Sequence, residues 1–164
     1  MRVAIRAVVV ADEAFLWRML YEAAFWDPGV PRPSWETFLA DDHNLRYLNG
    51  WGRVGDAGVI AIGAGGESLG AAWYRVLTSD RPGWGFVNEG TPELSIGVEA
   101  QVRRRGVGAA LLQAVVEMAA AEGFPALSLS VSEANLAARL YERAGFAETS
   151  RDGGSVTMVR QLSR

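Results

Sequence analysis

Apolar positions along the chain follow two different periods, and the switches between them outline its elements. Residues 2–10 are short, β-branched and apolar, which reads as a first strand. Phe15, Leu16, Met19, Leu20 and Ala23 then recur at helical spacing, with Asp12 placed to cap that helix. Pro28, Pro31 and Pro33 interrupt it, and Ser34 caps a shorter helix through Trp35, Phe38 and Leu39. From there to about Gly52 polar and aromatic residues mix without a period, and no element is assigned. Residues 58–62 and 69–76 read as strands joined by a glycine-bearing connection at 63–68. A long loop at 78–91 leads to Glu93-Leu94-Ser95-Ile96-Gly97-Val98. There Leu94, Ile96 and Val98 share one face, and Glu93, Ser95 and Gly97 the other.

The second half is more regular. Leu111, Leu112, Val115, Val116 and Ala119 form the apolar stripe of a helix that begins near Val107 and stops at Gly123. Residues 126–131 alternate strictly, as a half-buried strand does. A helix over 135–144 ends at Gly145, and late strands are expected near 146–149 and 156–162. Early helices, consecutive central strands and then strand–helix–strand–helix–strand fit an α/β sandwich around a mixed sheet.

Composition narrows the function. At 164 residues the chain has the size of one domain, taken here as 1–164. No apolar run is long enough to cross a bilayer, so no membrane partner is expected. Arg6 and Asp12 fall inside what would be a signal's apolar stretch, so a cytoplasmic location is expected. The absence of cysteine removes disulfides, thiolate ligands and a cysteine nucleophile. A net charge of −3 argues against a nucleic-acid partner. The lone histidine, His43, cannot build a multi-histidine site, and no metal is expected.

One basic run, Arg103-Arg104-Arg105, needs a local account, a solvated charged patch being the plain alternative. It precedes Gly106-Val107-Gly108-Ala109-Ala110, where a strand gives way to a helix. Glycines let a ligand approach the backbone, and the first helical turn offers unpaired N–H groups and the positive end of a dipole. A pyrophosphate supplies the matching charge and acceptors, with the arginines at its rim. No Gly-Lys-Ser/Thr follows, as a nucleotide P-loop would require.

Arg103-Arg104-Arg105-Gly106-Val107-Gly108 resembles the acetyl-CoA motif of the GCN5-related N-acetyltransferases, Gln/Arg-x-x-Gly-x-Gly/Ala. The segment from Asn135 to Phe146 (Asn-Leu-Ala-Ala-Arg-Leu-Tyr-Glu-Arg-Ala-Gly-Phe) is similar to a second signature of that family, at a matching distance. The resemblance implies a mixed, mostly antiparallel central sheet flanked by helices on both faces. It further implies acetyl-CoA as cosubstrate and an amine acceptor that attacks the thioester directly. By that resemblance the backbone of Ile96, Gly97 and Val98 would hold the pantetheine arm. Val107, Gly108, Ala109 and Ala110 would meet the pyrophosphate, and Asn135 would contact the coenzyme or simply cap its helix. Tyr141 is the expected general acid, able to protonate the departing thiolate; packing in the core is its plain alternative. Some relatives carry a glutamate where this chain has Ser128 or Ser130. Glu93 is therefore the expected general base, ahead of Glu99 and Glu133, and a base acting through ordered water is equally compatible with the sequence. Trp26, Trp35, Trp51, Trp84, Phe86 and the pair Asp41-Asp42 mark the expected acceptor side. A homodimer is compatible with the family. A non-catalytic acyl-CoA-binding or sensor domain is the alternative function.

Overall fold

The computed structural model describes residues 2–162. Seven strands form one sheet: β1 (Ala4–Ala7), β2 (Ala57–Ile62), β3 (Ser68–Arg75), β4 (Glu93–Val98), β5 (Ala126–Ser132), β6 (Ala147–Asp152) and β7 (Ser155–Gln161). Their spatial order is β1-β2-β3-β4-β5-β7-β6. Every neighbouring pair is antiparallel except β4 and β5, the pair linked by a helix crossover. The sheet is mixed and mostly antiparallel, as expected.

Helices cover both faces. On one, α4 (Val107–Ala121) and α5 (Ala137–Arg143) lie over Leu94, Leu127, Leu129 and Val131. The stripe read from the sequence is the buried face of α4, with Leu111 and Val115 fully covered and Leu112 nearly so. Each such side chain contributes about 1.5–3 kcal/mol through burial. On the other face, α1 (Glu13–Ala24), α2 (Trp35–Ala40) and α3 (Asp42–Leu45) close a second core of Leu16, Met19, Phe38, Leu48, Ile60 and Trp73. Strand β4 runs between the two cores. Its odd-numbered residues face α1 and its even-numbered ones face α4, the division its alternation implies.

Several boundaries differ from the sequence expectation. The first strand is only Ala4–Ala7, because residues 10–12 turn into a short 3-10 segment. Asp12 does not cap α1; its carboxylate accepts from the Val9 amide and pairs with Arg6, closing that turn. Ser34 does cap α2, accepting from the Thr37 amide. The unassigned stretch holds α3, capped by Asp41 through the His43 amide. Helix α5 starts at Ala137 because the Asn135 side chain accepts from the Ala137 amide and ends the preceding loop there.

Candidate active site

The parallel pair β4–β5 is where the sheet opens. Its only ladder partners are Glu93 and Ser128, whereas β3–β4 and β5–β7 pair along their length. The Glu99 amide donates to Leu69 on β3, so by antiparallel alternation Glu93, Ser95 and Gly97 are the β4 residues bonded to β3. Leu94, Ile96 and Val98 therefore turn their N–H and C=O groups toward β5. Two bonds agree with that parity: Ser128 donates to the Pro92 carbonyl, and Arg103 Nε donates to the Val98 carbonyl. Past Glu93 the strands separate, and the backbone edge at Ile96 and Val98 faces a wedge widening toward the start of α4. Buried backbone groups need partners, so this edge suits a ligand with amide groups of its own.

Helix α4 begins at the mouth of that wedge. Gly106 holds the left-handed conformation at φ 86°, and Arg104 does so at φ 64°. The Ala110 amide donates to Gly106, which leaves the Val107, Gly108 and Ala109 amides without a helical acceptor. They point out of the positive end of a 15-residue helix dipole. A side chain at Gly108 would lie 3.3 Å from Leu140 and 4.0 Å from Val98, so this end abuts both α5 and β4. The cradle has the donors and open backbone that a pyrophosphate requires. Of the three arginines, Arg103 is half-buried and ties β4 to α1 through Val98 and Glu22 (3.1 Å). Arg104 and Arg105 are exposed at the rim.

Glu93 sits at the closed end of the wedge and is 3 % exposed. Its Oε2 accepts from the Tyr47 hydroxyl at 2.7 Å and the Gly85 amide at 3.0 Å. Oε1 is buried with no protein partner among the described residues, as is the Ser128 hydroxyl across the ladder. Burial pushes the carboxyl up from 4.5 to about 7, against the two hydrogen bonds, which pull it down. A group that exchanges its proton near neutrality suits general-base work.

Tyr141 lies on α5, 8 % exposed, with its ring edge-on to Phe146 at 6.2 Å between centroids. Burial pushes its hydroxyl up to about 12, so the phenol keeps its proton at neutral pH. It is a core aromatic whose phenol stays protonated.

The sequence model of the acetyltransferase (GNAT) family matches residues 17–146, most of the chain. The chain belongs to that family. An 89-residue stretch is 38 % identical to the L-methionine sulfoximine/L-methionine sulfone acetyltransferases of Pseudomonas paraeruginosa and Pseudomonas aeruginosa. That stretch is 54 % of this chain and 49 % of each relative, so the match spans about half the length of those enzymes. Among solved structures, a phosphinothricin acetyltransferase from Sinorhizobium meliloti, in complex with AcCoA, superposes with a TM-score of 0.70 at 21 % identity. It covers 99 % of this chain and 89 % of that one. A ribosomal-protein-alanine N-acetyltransferase from Brucella melitensis superposes with a TM-score of 0.67 at 23 % identity, covering 97 % and 99 %. Both likenesses concern the fold.

Of the expected coenzyme residues in this GNAT domain, Ile96 and Val98 lie on the β4 edge that opens toward β5 and 103–110 follow beyond it, whereas the Gly97 backbone is bonded to β3 and does not face the wedge. Gly97 is required on the opposite face, where a Cβ would fall on the Met19 carbonyl of α1. Asn135 Oδ1 accepts from the Ala137 amide just ahead of α5. The acceptor-side residues scatter. Asp41 caps α3, Asp42 pairs with Arg46 and Arg81, and Trp51 packs beside the Arg75 guanidinium. Trp84 is 62 % exposed and stacks on His43 at 4.0 Å between centroids. Sequence reasoning missed Tyr47, which lies in the stretch without a period, and Gly83 and Gly85, which lie inside the long loop. The glycine–tryptophan–glycine spacing at 83–85 was the one local signal of a close backbone approach there.

Proposed function

We propose that the chain is an acetyl-CoA-dependent N-acetyltransferase that carries out direct transfer to an amine. The observation that carries this reading is the alignment of three features along β4: the buried Glu93 at its start, the edge opened toward β5 at Ile96 and Val98, and the α4 amides beyond its end. The strand edge suits the amide-bearing pantetheine arm, and the Val107, Gly108 and Ala109 amides suit the pyrophosphate, with Arg104 and Arg105 beside it. The coenzyme supplies a thioester, whose carbonyl carbon an amine can attack.

Glu93 takes a proton from the amine as the carbon–nitrogen bond forms. Tyr141 gives a proton to the sulfur as the carbon–sulfur bond breaks. A neutral amine thus loses one proton to Glu93 and the thiol gains one from Tyr141, leaving an amide and free coenzyme A; Glu93 then releases its proton to solvent and Tyr141 regains one, which resets the site. Glu93 must be ionised to act, so activity rises with pH through about 7.

The relatives named for methionine sulfoximine and methionine sulfone make small amino-acid analogues the first acceptors to try. The test is thiol release from acetyl-CoA across a panel of amines, for the wild type and Glu93→Gln. Amine-dependent release that falls about 10²-fold or more in Glu93→Gln supports the reading. Tight coenzyme binding with no release on any amine would instead make the chain a sensor domain.

A further inference from the structure

We propose that Tyr47 is a positioning residue for Glu93, and that the backbone at 83–85 completes it. The base is then assembled only when the 78–91 loop lies down over the β4–β5 junction. This rests on Glu93 being the base.

The tyrosine hydroxyl is used twice. It donates to Glu93 Oε2 at 2.7 Å and accepts from the Trp84 amide at 2.8 Å. The next amide of the loop, Gly85, donates to the same Oε2 at 3.0 Å. One carboxylate oxygen, one phenol and two consecutive loop amides therefore form a closed set, and the loop supplies half of it.

Two glycines make the approach feasible. A Cβ at Gly83 would collide with Glu93 Oε1 and crowd the Tyr47 hydroxyl at 2.7 Å, and one at Gly85 would press on the β5 backbone at Leu129 and Ser130. The loop lies against both strands of the junction. Trp84 is anchored from outside by its stack on His43, four residues before Tyr47.

The charged neighbours of Glu93 do not replace Tyr47. Arg75 is its direct partner on β3, yet that guanidinium is held by Asp56 at 2.8 Å and by the carbonyls of Arg46 and Asn49. The Arg46 side chain goes to Pro82 and Asp42. Ser128, opposite on β5, is a hydroxyl without charge. Tyr47 and the loop amides are thus the groups that orient the carboxylate. With the loop raised, both amide bonds would go and water would reach a group whose proton affinity is set mainly by burial.

The experiment compares Tyr47→Phe and Gly85→Ala with the wild type. It uses the pH profile of kcat/KM and a carbon-13 titration of the Glu93 carboxyl. Tyr47→Phe keeps the ring and removes the bond that lowers the carboxyl. Its acid limb and its carbon-13 midpoint should both move up by about one pH unit, with KM for acetyl-CoA unchanged. In Gly85→Ala the added Cβ meets the β5 backbone at Leu129 and Ser130, which lifts the loop and hydrates the carboxyl, so its midpoint should move down, because burial is the larger effect. Opposite shifts support the proposal. A Glu93 midpoint that stays in place in Tyr47→Phe, with only a lower melting temperature, would overturn it and leave Tyr47 as packing. Full activity in Glu93→Gln would overturn the base assignment instead, while the carbon-13 titration still decides the role of Tyr47.

Discussion

A carboxylate 3 % exposed with one oxygen unpartnered costs folding energy whenever it is ionised. For Glu93 the folded value of about 7 exceeds the ordinary 4.5, so between those pH values the native state holds a proton that the unfolded chain has lost. Its contribution to stability is therefore greatest below about pH 4.5 and declines as pH rises to about 7, by roughly 3 kcal/mol. Urea denaturation at pH 5 and pH 8 should show that Glu93→Gln loses this decline and is the more stable protein at pH 8. An unchanged pH difference would mean that Glu93 is solvated in the native protein. Tyr141 makes a complementary prediction, because its proton stays on at every working pH. In Tyr141→Phe, kcat should fall about 10²-fold while calorimetric affinity for acetyl-CoA stays the same. Wild-type turnover there would reduce the residue to its packing against Phe146.

Among the elements, β4 carries three duties on one six-residue strand, and its two faces and one edge keep them apart. The α1 face needs Gly97, since a Cβ there meets the Met19 backbone rather than a movable side chain. Gly97→Ala should cost about 1–3 kcal/mol by chemical denaturation as α1 is forced outward. The elements most legible in the sequence were those with a sustained period: the α4 stripe, the alternation of β4 and β5, and the glycine stops at Gly123 and Gly145. The errors have local physical causes. Asp12 stands where a cap is expected, but Arg6 and the Val9 amide compete for its carboxylate. The first strand was read too long because Val8, Val9 and Val10 have strand propensity, yet the chain turns there, leaving Val10 88 % exposed. Helix α3 spans four residues and shows no repeat, so only its Asp41 cap marked it.

Across the whole molecule, the proposed coenzyme cradle is legible in the sequence because it is built from contiguous backbone: a strand, a turn and a helix start. The base half is only partly so. Glu93 stands out as a carboxylate on β4, but it meets Tyr47 across 46 residues and Gly85 through a loop with no period. The buried pair of Arg75 and Asp56 also joins distant segments, holding residues 46–56 against the sheet and so setting where Tyr47 stands. Such contacts follow from topology, and no spacing rule reports them. The central claim is that the α4 amides and the open edge of β4 together hold acetyl-CoA. Its most direct test is an amide-resolved NMR titration of the protein with acetyl-CoA. Saturable shifts at Val107, Gly108 and Ala109, together with Ile96 and Val98, are predicted. Saturation with shifts confined to another surface, or no saturation at millimolar coenzyme, would contradict the account.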